Sequence, residues 1–145
     1  GIRMSVPCDK RKEGQLHALV LAKGLTTYTV KITKNQRIFK PEYNTAITND
    51  IIHTAKEIYM LAWRANDIRV NDPYDPDGAK ERRDERLKLQ ADAIERCGEL
   101  LPLIELAQSV FHLSTKRVKY WGQMTKDVRT HLRNWRTGDR KRFNF

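Results

Sequence analysis

The sequence predicts an all-α protein, an antiparallel up-and-down four-helix bundle. Three observations carry this. Apolar residues recur at steps of three and four over four long stretches, the spacing of one helix face. Short polar or proline-containing breaks separate those stretches, which favours antiparallel neighbours. A chain of 145 residues, 39% hydrophobic and 32% charged, suits one domain whose helices each keep a wet face.

Residues 1–14 carry Arg3, Lys10, Arg11 and Lys12, close on Gly14, and read as a flexible basic arm. The first helix is expected over 15–34, where Leu21, Leu25, Tyr28 and Ile32 step by four, three and four. Thr26, Thr27, Thr29 and Val30 are β-branched and argue for a strand; the period favours the helix. Gly24 costs about 1 kcal/mol against Ala in a helix interior, a cost that close packing against a neighbour would explain. Residues 34–41 form a basic connection, and Pro41 suits the first turn of a second helix, where its missing N–H costs nothing.

That second helix is expected over 41–69. Tyr43, Ile47, Ile51, Ala55, Ile58, Ala62 and Ala65 form one row, and Ile52, Tyr59 and Trp63 add another. So broad an arc suits a helix touching two neighbours, or neighbours and another subunit. Residues 70–78 hold two prolines, three aspartates and a glycine, a turn-rich solvated loop. Asp75 to Gly78 matches part of a calcium loop, but Pro73 and Asp84 stand where that loop needs other residues.

The third helix is expected over 79–113. Leu87, Ile94, Cys97, Leu101, Ile104 and Phe111 face inward, Pro102 makes a kink, and the charged start projects beyond the core. Ser114 is a good N-cap for the last helix, 114–137. The basic tail, 138–145, is expected to fray beyond Gly138, leaving Phe143 and Phe145 to dock on a neighbour.

The last helix concentrates the functional signal. Val118, Trp121, Thr125, Val128, Leu132 and Trp135 form its core seam. Beside the seam runs a basic stripe of Lys119, Lys126, Arg129, Arg133, Arg136 and Arg140. At about 100° per residue, the stripe flanks the seam rather than opposing it. From Lys116 to Arg142 there are ten Lys/Arg against Asp127 and Asp139, which is most of the chain's net +10. Such a charge favours polyanionic partners, nucleic acid first. Phosphate contacts want cations on a rigid element, because fixed positions set register along a backbone. The candidate nucleic-acid-binding residues are therefore the stripe with Lys141 and Arg142, joined by Lys10, Arg11 and Lys12 of the arm and by Lys31 and Lys34. Tyr120 and Trp121 are adjacent and cannot share one seam. One stacks on a base or an Arg or sits in an interface, or Tyr120 is simply a core edge. The stripe could instead pair with Glu95, Glu99 and Glu105 of the third helix, or meet an acidic partner protein.

Catalytic signals are weak. His17, His53, His112 and His131 show no metal-ligand spacing, no glycine-rich phosphate loop occurs, and no nucleophile–base pair stands out. The expectation is a protein that is not an enzyme, with no metal and no cofactor. Cys8 and Cys97 make no disulfide framework, and Cys97 reads as a small buried hydrophobe. The start shows no apolar signal region and no run is long enough to span a bilayer, so the expected setting is cytoplasmic, with no membrane partner.

Three stretches carry a family resemblance: SVPCDKRKEGQL, YTVKITKNQRIFKPEYNTAITNDIIHTAKEIYMLAWRAN and SVFHLSTKRVKYWGQMTKDVRTHLRNWRTGDRKRF. With these, residues 5–143 resemble the four-helix-bundle accessory variability proteins of diversity-generating retroelements, and the related family encoded in ribosomal-RNA intervening sequences. The resemblance implies a non-enzymatic bundle that assembles into a homo-oligomer, typically a pentameric ring. It implies binding of RNA or DNA through basic surfaces, largely without sequence preference, and binding of the element's reverse transcriptase during mutagenic retrohoming. Only the basic residues of the last helix and the N-terminal arm carry over, as a surface. The longer Asp/Pro loop and the charged start of the third helix depart from shorter members. A structural adaptor that docks an acidic protein with its basic face, and binds no nucleic acid, is the alternative.

Overall fold

In the computed structural model, which describes residues 6–145 and the side chains of 14–145, the β-branched run near the start is helical. Its threonines turn their hydroxyls back onto the helix. Thr27, Thr29 and Thr33 each donate to the carbonyl four residues earlier at 2.8 Å. A strand-forming side chain that satisfies itself this way costs a helix little. The first helix, α1 (Val6–Thr33), starts well before the expected position 15, so the stretch from Val6 to Gly14 is not a separate arm. Residues 1–5 lie outside the described residues.

Gly24 is a further difference. A Cβ there would meet nothing within 4 Å, so close packing does not explain it. Gly24→Ala is therefore expected to raise stability by about 0.5–1 kcal/mol, read as a higher urea midpoint with unchanged slope.

The second stretch divides. Pro41–Tyr43 is a single 3-10 turn, Asn44–Thr48 a widened π turn, and the α-helix proper, α2, runs Asn49–Asp67. Tyr43, Ile47, Ile51 and Ala55 advance by fours, which drifts by about 40° per step in an α-helix. The π turn absorbs a residue, and both Ile47 and Ile51 end up buried. The second apolar row is not core: Ile52 and Tyr59 are half-buried, and Trp63 is 46% exposed.

After a loop held by Arg82, which pairs with Asp75 at 2.7 Å and donates to the Val70 carbonyl, α3 runs Ala79–Phe111. It continues through Pro102 as one helix. Its charged start does not project freely, because Arg86 is buried. His112 ends α3 in the left-handed region at φ 56°, a conformation that more often falls to glycine. Ser114 then caps α4 (Thr115–Arg142), accepting the Arg117 N–H at 3.1 Å as expected.

Helices consecutive in the chain pack on one another, and α1 packs on α4, closing a ring of four. Paired contacts show the directions. Gln15 reaches Asn66 while Thr26 reaches the Ala55 carbonyl; Arg86 meets Asp139 while Tyr28 meets Tyr120. The all-α four-helix bundle expected from the sequence is the observed fold, and no strand occurs among the described residues. Leu25, Ile51, Ile58, Leu100, Trp121 and Leu132 are fully buried at its centre. Each such side chain contributes about 1.5–3 kcal/mol over an exposed position. At one end Phe39, from the basic connection, plugs the bundle with its ring 4.8 Å from Phe111.

The opposite end is braced by charge. Arg86 Nε donates to Asp139 Oδ2 at 2.7 Å, and Gln90 Nε2 donates to the same oxygen at 2.7 Å. A second Arg86 nitrogen donates to the Ile68 carbonyl, and the guanidinium lies over the rings of Trp135 and Phe143. This brace corrects the expected tail. The helix passes Gly138, Asp139 turns inward, and Phe143 is buried in its own chain.

Candidate nucleic-acid interface

The basic stripe faces the groove between α4 and α3. Arg136 Nε donates to the Leu87 carbonyl of α3 at 3.0 Å. Burial pushes the Cys97 thiol up to about 12, against an opposing pull from the charges of Arg129 and Arg133. Lys119 and Lys126 line the same groove with Leu101 and Ile104 of α3. Lys119, Lys126, Arg133 and Arg140 are exposed, while Arg129 and Arg136 are half-buried. The row from 119 to 140 covers roughly 30 Å at 1.5 Å rise per residue. Cys97 itself is an inert core group, since its thiolate is what burial disfavours. The side chain of Cys8 lies outside the described residues.

Among the described residues no carboxylate neutralises this row. Among the described residues, none of its six cations forms an ion pair. Glu95 and Glu99 are taken by Arg96 of their own helix, at 3.8 and 2.9 Å. Glu105 borders the groove beside Lys119 and Lys126 without pairing. One of the two acids counted in α4, Asp139, is buried against Arg86, which leaves Asp127 as the exposed one.

The remaining candidates are not in the row. Lys141 and Arg142 follow Arg140 by one and two residues and so turn away by about 100° and 200°. Arg142 stacks on Phe143, 4.2 Å from its centroid, and borders a depression with Gln15. Lys31 and Lys34 are exposed at the end of α1, where Tyr28 touches Tyr120. They share that end of the bundle with the start of α4, not the groove. Lys10, Arg11 and Lys12 belong to α1, and their side chains lie outside the described residues.

Three features escaped the sequence reading. Lys116 and Arg117 stand in the first turn of α4 beside Tyr28 and Tyr120. Leu16, Val20, Met60 and Trp63 are large apolar residues exposed on α1 and α2, away from the α3–α4 groove. The His17 and His131 rings meet across α1 and α4 at 4.6 Å. The signal for the first was present, as cations flanking a tyrosine. The second required knowing which row of α2 becomes core.

Among the described residues no three His, Cys, Asp or Glu gather as a metal site, and no helix is long and apolar enough to cross a membrane. No family model, curated protein or solved structure matches the chain.

Proposed function

We propose that this protein is a non-catalytic, nucleic-acid-binding accessory subunit of a diversity-generating retroelement, one that holds template RNA or its cDNA beside the reverse transcriptase. The observation that supports it is the row of six cations along one rigid helix, with no carboxylate of the same chain paired to any of them among the described residues. Cations on a surface keep their counterions until a polyanion displaces them, and that release drives binding. The retroelement setting rests on the sequence resemblance, as do the reverse transcriptase partner and the pentameric ring. Leu16 and Val20 on α1 and Met60 and Trp63 on α2 are exposed apolar side chains outside the cation row, which assembly of such a ring would bury.

The test is binding of the purified chain to labelled RNA and DNA, with an acidic polypeptide such as polyglutamate in parallel. Binding to nucleic acid of any sequence is the expected result. Salt-sensitive binding to the acidic polypeptide with none to nucleic acid selects the adaptor role instead. Light scattering on the same sample reads the assembly, expected at five copies of the 17.0 kDa chain.

A further inference from the structure

At the start of α4 an aromatic ring stands between cations on both sides. Tyr120 is 57% exposed, because its neighbour Trp121 takes the core position. The ring is not loose. Its centroid lies 5.2 Å from Tyr28 at a 59° tilt, and Tyr28 lies 6.3 Å from Trp121, edge-on. Trp121 is fully buried and donates its indole N–H to Thr29 Oγ1 at 3.0 Å. The three rings form a ladder from the core to solvent, and Tyr120 is its outermost rung.

Tyr120 separates two open depressions. One, of 620 Å³, is lined by apolar Leu101, Ile104 and Val118, by the cations Lys119 and Lys126, and by one acid, Glu105. The other, of 290 Å³, holds Tyr28, Lys116 and Arg117. Arg117 lines this depression with both tyrosines, and its charge opposes the burial that holds the Tyr28 phenol above its ordinary value. Among the described residues none of Lys116, Arg117, Lys119 or Lys126 forms an ion pair.

We propose that Tyr120 is a stacking platform for an unpaired nucleobase, which makes this end of the bundle a site for single-stranded RNA or DNA. The inference rests on the nucleic-acid reading above and narrows its substrate. A single strand crossing from Lys126 and Lys119 to Lys116 and Arg117 passes over the ring. Its phosphates meet the cations and one base lies on the tyrosine. Stacking needs a π-face and not a sequence, so the site is tolerant of base identity. A duplex keeps its bases stacked inside and offers only phosphate to the same surface, so the ring adds nothing to duplex binding.

The experiment measures fluorescence anisotropy of the full chain with a labelled oligouridine, a labelled oligothymidine and a blunt duplex of equal length, at one salt concentration. Tyr120→Ala is expected to weaken single-strand binding about tenfold or more and to leave duplex binding within about twofold. Tyr120→Phe keeps the ring and is expected to bind as the parent does. The platform is overturned when Tyr120→Ala binds single strands as the parent does, or loses single strand and duplex equally. A parent chain that binds neither form removes the nucleic-acid reading itself, and the platform with it.

Discussion

Asp139→Ala is expected to cost about 3–5 kcal/mol of folding stability, the largest effect of any single change at a charged position. The carboxylate and Arg86 are each only 4% exposed at the side chain, and they meet at 2.7 Å. Removing Asp139 leaves a guanidinium sealed under Trp135 and Phe143 with its charge uncompensated. It also strips Gln90 of its acceptor. The contrast is the Arg82–Asp75 pair, equally short but with Asp75 62% exposed, where the change is worth about 0–1 kcal/mol. Replacing both partners by apolar groups, as in Arg86→Met with Asp139→Leu, is expected to cost less than Asp139→Ala alone, because no buried charge remains. Urea midpoints of Asp139→Ala, Asp75→Ala and the Arg86→Met/Asp139→Leu pair against the parent, at neutral pH, check this directly. If Asp139→Ala melts within about 0.5 kcal/mol of the parent, the brace is not structural.

The second large effect is on binding. Changing Lys126, Arg133 and Arg140 together to Ala is expected to weaken nucleic-acid binding on the order of a hundredfold near physiological salt. It should do so alike for every sequence tested. Each lost phosphate contact also removes about 0.9 from the slope of log K on log salt for duplex DNA, so the slope should flatten by roughly 2 to 3. These three residues are exposed, so the fold should tolerate their loss. Arg136 is left in place, since its bond to the Leu87 carbonyl ties α4 to α3 and its removal would mix stability with affinity. A matching change of Lys31, Lys34 and Lys141, which lie outside the row, is the control and is expected to lose less.

Much of this architecture was legible because the helices are long and periodic. Trp121, Val128, Leu132 and Trp135 recur at helical spacing, and all are buried. Ser114 reads as a cap because its hydroxyl reaches the first turn, and it does. What could not be read depended on partners far along the chain. Arg86 sits in a run of charges that looks solvated, and Asp139 follows a glycine that looks like a helix end. Only the fold brings the two together across 53 positions. Phe39 looked like part of a polar connection, yet it closes the end of the core beside Phe111. Trp63 belonged to a row that read as core or as a contact with another subunit, and it is 46% exposed, because the four helices fully bury only the other row of α2. The basic stripe was legible as a row on α4. That no described carboxylate pairs with it was not, because that required seeing Arg96 occupy Glu95 and Glu99.

The most direct test of the cation row is the salt dependence of duplex-DNA binding by the unmodified chain, from low to moderate salt. If about five to eight phosphates are neutralised, log K falls linearly against log salt with a slope of about −4 to −7. A flat response would mean that no counterions leave the surface on binding, and would contradict the assignment of α4 as a polyanion-binding helix.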